Sequence, residues 1–312
     1  MRLSNEVALS VFNIEEDKRV VKTLTLSATT KLTTRLDPDE LILNAESIGE
    51  GSFAVVYLGL FRGNAVAVKK MKDIANPQQI ADFEKEIVMM DKFRSEYIIH
   101  FYGAVFFTNN VSVVTEYAEY GSFANLRKKD NEKNVISVSM KIRIKILKDA
   151  SRGIQYLHTN GILHRDVKPD NILVVSLKDD QVINGKLADF GSARNTNMMM
   201  TNMTFTKGIG TPKYMAPEVL EGLKHYNKPA DIYSFGITMY EGITWRDPYP
   251  KENFKFAWCI AEYVDKGGRP ERVECLTNEM YGIINETWDQ DKQKRIKIDV
   301  LVEKLETLYT TI

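Results

Sequence analysis

The sequence predicts an α+β chain in two parts, strand-rich first and mainly helical second. Three observations carry that expectation. Before Tyr117 the apolar residues fall in short runs rich in valine, such as Val55-Val56-Tyr57, Val66-Ala67-Val68 and Val111-Ser112-Val113-Val114, with one stretch of helical spacing among them. After Gly121 the apolar positions recur at helical spacing over long stretches. Between the halves lies Glu116-Tyr117-Ala118-Glu119-Tyr120-Gly121, and clefts between two such lobes are preferred places for ligands.

At 312 residues the chain has length for about two domains or lobes and a sizeable core. Lys+Arg and Asp+Glu balance at 42 each, so net charge gives no argument for a nucleic-acid or polybasic membrane partner. The basic run Lys141–Lys148 alternates with Ile142, Ile144 and Ile146 and predicts a helix with a solvated lysine face. Cys259 and Cys275 stand in no metal spacing. Cys259 lies in an apolar helical stretch and is expected as a buried free thiol, which fits a reducing, cytoplasmic setting. No run of about 18 apolar residues is present, so no membrane span is expected in this chain, and the first residues lack the apolar core of a signal peptide.

Residues 1–36 are an extension in which Val20–Leu26 alternates like a half-buried strand; an edge strand, a linker and the tail of an upstream domain all remain open. Asp37-Pro38-Asp39-Glu40 predicts a turn at its end. Ile48-Gly49-Glu50-Gly51-Ser52-Phe53-Ala54-Val55-Val56 then reads as strand, turn, strand. A dinucleotide-binding fold would need a helix after its glycines, whereas Val55, Val56 and Tyr57 favour strand. The glycines of such a hairpin let backbone amides approach phosphate oxygens. Val66-Ala67-Val68-Lys69 is a short strand ending in a lysine, which is either simply exposed or held over a phosphate by a carboxylate. Asn76-Pro77 predicts a helix start, followed by the stripe Ile80, Phe83, Ile87, Met90 and Phe93 with Glu86 beside it.

Two strands around Thr108-Asn109-Asn110 and a long helix from about Met140 to Thr159 lead to His164-Arg165-Asp166-Val167-Lys168-Pro169-Asp170-Asn171. Ile172–Val175 reads as the strand after it. Asp166 can take a proton, Lys168 can hold a phosphate oxygen, and the Asn171 side-chain oxygen can ligate a hard cation; these are the parts of phosphoryl transfer. The octet alone is equally readable as a polar surface loop. Asp189, in Leu187-Ala188-Asp189-Phe190-Gly191, supplies a second candidate metal ligand eighteen residues after Asn171. Ser192–Lys207 reads as a mobile polar loop, Asp231–Tyr240 as an apolar helix, and three helical patterns close the chain with Trp258, Trp288 and the Val300–Leu308 stripe expected in the core.

Taken in order, these motifs resemble a eukaryotic protein kinase catalytic domain from about Leu41 to Leu308. The resemblance implies a bilobal fold: an N-lobe over 37–116 with one main helix, a hinge over 116–121 and a helical C-lobe over 122–312. It also implies ATP and two magnesium ions as cofactors. Gly49 to Val56 would cover the phosphates, with Ile48 also among the cofactor-binding residues and Ala54 standing where the family has its third glycine. Lys69 would hold the α- and β-phosphates and pair with Glu86. Asp189 and Asn171 would bind the metal ions, Asp166 would serve the substrate hydroxyl, and Lys168 would steady the transferred phosphate. Thr115 falls at the gatekeeper position and Glu116, Tyr117 and Ala118 where backbone groups bind adenine, with Val56, Ala67 and Leu173 around the purine. Phe101, Met90, Phe190 and His164 resemble the family's internal spine, with Asp231 beneath, and Glu218 with Arg295 its C-lobe ion pair.

Lys168 and Thr211 resemble serine/threonine kinases, while Val114–Tyr117, Asp231–Gly236 and Trp288 to Arg295 resemble the tyrosine-kinase-like group, including receptor-type kinases of amoebae and plants. The resemblance therefore implies a serine/threonine kinase acting on protein substrates in signalling, with dual specificity open. Tyr233 replaces the commoner tryptophan and Ile296 the commoner proline. Arg165 beside Asp166 suggests regulation by an upstream kinase or by the enzyme itself, through a phosphate on Thr206 or, failing that, Thr204 or Thr201. The alternative from another class is a scaffold that binds nucleotide and partners without efficient transfer; Lys69, Asp166, Asn171 and Asp189, all present, argue against it. A small-molecule kinase is a weaker alternative.

Overall fold

A computed structural model of the chain describes residues 35–51, 54–72, 87–88, 90–107, 110–131, 136–189, 194–195, 212–221 and 226–312. The strand expected over Val20–Leu26, the helix start at Asn76-Pro77, and Ser52, Phe53, Glu86, Phe190, Thr201, Thr204 and Thr206 lie outside them. Two compact units result.

The first unit comprises the described residues up to Asp91 together with Phe101–Thr115. Its five-stranded sheet is built from β1 (Leu41–Glu50), β2 (Ala54–Phe61), β3 (Asn64–Met71), β4 (Phe101–Phe107) and β5 (Asn110–Glu116), in the order β1-β2-β3-β5-β4. β2 and β3 are joined by Arg62 and Gly63 at φ 48° and 81°, the left-handed pair that a two-residue hairpin turn demands. Strand alternation sends Val66 and Val68 into a core with Phe61, Val105 and Val114. Ala67 and Lys69 therefore share the opposite face with Val56, which sits directly across from Lys69.

The second unit, Lys92–His100 with the described residues from Glu116 onward, is mainly helical. Its helices are α1 (Phe123–Asn131), α2 (Met140–Thr159), α3 (Pro217–Leu220), α4 (Lys228–Thr244), α5 (Ala257–Asp265), α6 (Asn278–Thr287) and α7 (Ile298–Thr311). Two small two-stranded sheets pair β6 (Ile162–Leu163) with β9 (Arg194–Asn195), and β7 (Ile172–Val174) with β8 (Gly185–Leu187). α2 runs over the expected span: the Ser139 hydroxyl caps its start by accepting from Ile142 N, and Gly161 at φ 70° ends it.

Four expectations are corrected. Lys145 and Lys148 are buried rather than solvated, because α7 and the loop between β7 and β8 cover that face of α2. Lys145 Nζ donates to the carbonyls of Asp179 (2.7 Å) and Gln181, and Lys148 Nζ reaches Glu306 at 3.3 Å and the Tyr309 ring at 4.4 Å. Trp258 is 64% exposed and stacks on Phe256 at 4.2 Å; Ile260 and Val264 form the buried face of α5, and Trp258 lies on the other side. Val300 is exposed while Leu301, Val302, Leu305 and Leu308 are buried, so the stripe on α7 is narrower than its apolar run. Cys259 is half-buried rather than enclosed. Trp288 is in the core as expected.

Two of the three sequence departures have local accounts. Tyr233 is buried between the guanidinium groups of Arg269 and Arg295, 5.0 and 5.1 Å from its ring. Ile296 donates its N–H to Glu286 O at 2.9 Å, a bond that proline cannot make. Close helix packing gives one stability prediction. A Cβ on Gly236 of α4 would lie 1.9 Å from the buried Thr287 hydroxyl on α6. Gly236→Ala is expected to destabilise the protein by about 1–3 kcal/mol, the usual cost of overpacking, read as a lower denaturant midpoint with an unchanged slope.

Candidate active site

The octet is held in place by one buried carboxylate. Asp231, in the first turn of α4, accepts His164 N (3.0 Å) and His158 Nε2 (2.8 Å) on Oδ2, and Arg165 N (2.9 Å) and the Tyr226 hydroxyl (2.8 Å) on Oδ1. Burial alone would raise its pKa, but the His158 hydrogen bond and the Arg165 N–H hold it below the usual carboxylate range. These bonds over-determine a strained backbone: Arg165 has φ 72°, a conformation that costs of order 1–3 kcal/mol for a residue with a side chain. Asp189, at φ 61°, is another such residue. Both positions flank the proposed chemistry.

The side chain of His164 bridges the two motifs. Asp166 N donates to its Nδ1 (3.3 Å), so Nε2 carries the ring proton and donates to Ala188 O (3.0 Å). Ala188 N in turn donates to Asn171 O (2.9 Å), fixing the residue before Asp189 against the end of the octet. Asp166 Oδ2 accepts Lys168 Nζ (2.7 Å) and Asn171 Nδ2 (3.0 Å), and the same Asn171 nitrogen donates to Asp166 O (2.7 Å). The amide nitrogen of Asn171 is thus spent on Asp166, and its Oδ1 is the hard oxygen left for a cation. Asp166, Lys168 and Asn171 are therefore one bonded group, on a loop tied to the approach to Asp189.

The 116–122 segment lies beside β7. Gly121 O accepts Val174 N (2.8 Å), Tyr120 N donates to Val174 O (3.2 Å), and Ser122 bridges Leu173. Ala118 O accepts Gly121 N (3.0 Å), whereas Ala118 N–H has no acceptor among the described residues. That unspent donor fits one edge of a purine ring. Lys186 on β8 places Nζ 2.7 Å from each carboxylate oxygen of Glu116, and Glu116 Oε2 also accepts His100 N (3.2 Å). No local pattern points to Lys186, which stands 70 residues from Glu116, or to Tyr226 as a ligand of Asp231.

In the first unit, Glu50 N and Glu50 O lie in the β1–β2 ladder opposite Val55, and Gly51 N donates to Ala54 O (2.8 Å). A Cβ on Gly49 would meet no atom within 4 Å, so protein packing does not require glycine there. Ile48 and Glu50 are exposed, with Glu50 paired to Lys72. Ala54 is buried; Val56, Ala67, Lys69 and Thr115 are half-buried. In the second unit the remaining expected pair forms: Arg295 meets Glu218 with two parallel bonds of 2.7 Å.

A strand-rich unit with a glycine hairpin and a helical unit with this bonded loop make up a protein kinase domain. The chain belongs to that family: its model, "Protein kinase domain", matches residues 43–305. Among similar proteins, "Probable serine/threonine-protein kinase gdt4" of Dictyostelium discoideum is 34% identical over 91% of this chain and 17% of its own length. "Dual specificity protein kinase shkB" of the same organism is 32% identical, over 83% of this chain and 39% of its own length. "Serine/threonine-protein kinase VIK" of Arabidopsis thaliana is 30% identical, over 89% and 62%. The chain spans about a sixth of the length of gdt4. Among the described residues no helix is long and apolar enough to cross a membrane.

Proposed function

We propose that the chain transfers the γ-phosphate of ATP to serine and threonine hydroxyls of protein substrates. The observation that carries this reading is the Asp166–Lys168–Asn171 group, pinned by Asp231 and joined through Ala188 to Asp189. Asp166 orients the substrate hydroxyl and receives its proton, while the Lys168 ammonium steadies charge on the phosphoryl oxygens. Asn171 Oδ1 and the Asp189 carboxylate are hard oxygen ligands suited to magnesium, an ion that takes one or two protein groups together with substrate phosphates. When bound, magnesium neutralises phosphate charge. Lys69 anchors the α- and β-phosphates with Glu86 as its partner, the Gly49–Val56 hairpin covers them, and Ala118 N–H binds the adenine edge alongside Val56, Ala67 and Leu173.

Serine/threonine specificity is supported by Lys168 and by the names of the relatives, and one relative's name leaves dual specificity open. Activation is proposed to follow phosphorylation of Thr206, Thr204 or Thr201, whose charge would pair with Arg165. Mass spectrometry of the active enzyme is expected to find the phosphate on this loop, and an unmodified loop throughout would reject the regulatory part. For transfer itself, labelled ATP with magnesium is expected to mark a generic protein substrate, with the signal lost in Asp189→Asn and on chelation by EDTA. Equal labelling by parent and variant would assign the signal to a contaminant and restore the scaffold reading.

A further inference from the structure

Two buried acceptors without a donor sit on residues that are already bonded to each other. Asp149, in the middle of α2 and 1% exposed, accepts Asn184 N (2.7 Å) and Gly185 N (3.2 Å) on Oδ2. Its Oδ1 is buried and has no hydrogen-bond partner among the described residues. Asn184 is fully buried and donates Nδ2 to Ser176 O (3.0 Å) and Lys178 O (2.9 Å), which fixes its amide orientation. Its own Oδ1 is likewise buried and unpartnered. An orphan acceptor in the interior costs about 1–3 kcal/mol, so two together call for a shared donor.

We propose that Asp149 carries a proton on Oδ1 at mildly acidic pH, donates it to Asn184 Oδ1, and thereby positions strand β8. One proton satisfies both orphans while Oδ2 keeps its two N–H bonds. The groups acting on this carboxyl are Lys145 and Lys148 on its own helix and Tyr309 on α7, whose hydroxyl donates to Asp179 on the loop before β8 and which also feels Glu306. Burial outweighs the Asn184 and Gly185 N–H bonds and the two lysines, and pushes the Asp149 carboxyl up to about 6. Because the folded state then binds this proton more tightly than the unfolded chain, the stability it contributes is full below the ordinary carboxylate range and is lost as pH rises through about 6. β8 carries Lys186, which grips Glu116, and ends two residues before Asp189. On the kinase reading, this titration tunes the adenine-binding segment.

Asp149→Asn tests the assignment, since an asparagine carbonyl accepts the same two N–H groups and its NH2 reproduces the donor to Asn184. The variant is expected to melt no lower than the parent at about pH 8 and to lose the parent's gain in Tm on acidification to about pH 5.5, a window set around the raised carboxyl. In the parent at the lower pH, infrared spectroscopy is expected to show the carbonyl stretch of an un-ionised acid that the variant lacks. Asp149→Ala leaves the two N–H groups without an acceptor and serves as the destabilised reference. An Asp149→Asn protein that melts as low as the alanine variant, or a parent without the acid band, would overturn the assignment in favour of an ionised carboxylate or a bound water. For the positioning role, the KM for ATP in the parent should change through the same pH window and be flat in Asp149→Asn. A flat profile in an active parent overturns that role. A parent without ATP-dependent activity defeats the kinase reading instead, and leaves the proton assignment to the melting and infrared results.

Discussion

Asp166→Asn is expected to lower kcat for peptide phosphorylation by about 10²–10⁴-fold, the span a lost general base commonly produces, with nucleotide affinity close to the parent's. The expectation follows from the bonds around Asp166. An amide keeps the shape and can still accept from Lys168 Nζ or Asn171 Nδ2, the two donors now at 2.7 and 3.0 Å. It cannot take up a proton, and it removes the negative charge that holds the Lys168 ammonium. The backbone that positions residue 166 is fixed independently, by Asp231 on the two preceding N–H groups and by His164 Nδ1 on Asp166 N. The loss should therefore appear in kcat rather than in ATP binding. Single-turnover rates alongside calorimetric ATP titration separate the two, and a kcat within a few-fold of the parent's would remove Asp166 from the chemistry.

Arg295→Ala should be the most damaging single change to stability, costing about 3–5 kcal/mol by leaving a buried carboxylate without its counter-ion. The Arg295 side chain is fully buried and holds both oxygens of Glu218 at 2.7 Å, with further bonds to Asp289 O (2.9 Å) and Pro229 O (3.0 Å). Its guanidinium also lies 5.1 Å from the Tyr233 ring, so truncation opens space beside α4 as well. A domain of this size shifts by roughly 2–4 °C per kcal/mol, which calorimetry resolves easily. The double variant Glu218→Gln/Arg295→Met should recover much of the loss, because removing both charges avoids the unpaired one. If the single and double variants melt alike, the damage comes from packing and not from the orphaned carboxylate.

Much of this architecture was legible because the residues that carry it are close in sequence or repeat with a period. The turn at Gly49–Gly51 was placed between strands by Val55, Val56 and Tyr57, and α2 was bounded by Ser139 and Gly161. The bonding within Asp166, Lys168 and Asn171 spans five residues, so their grouping is readable from spacing. What stayed hidden is long-range. Lys186 meets Glu116, Tyr226 completes Asp231, and Asp149 captures the start of β8, and no local pattern announces any of these. Lys145 and Lys148 differ from expectation for a related reason: a charged residue on an amphipathic helix reads as solvated unless the element that will cover it, here α7 with Glu306 and Tyr309, is known. Trp258 failed in the opposite direction, since an apolar residue in an apolar helix reads as core although only one side of α5 is covered.

The Asp231 carboxylate that holds the octet also sets a schedule for the growing chain. Its bonds to Arg165 N and His164 N join residues 66 and 67 apart. At a synthesis rate of roughly 5–20 residues per second, Asp231 is made about 3–13 s after Arg165. Until then the left-handed backbone at Arg165 has no carboxylate to hold it, and His164 has no fixed amide from which to orient Asp166. A ribosome-bound chain that stops short of α4 therefore has the octet without its geometry, and the proposed site comes into being only as that helix emerges.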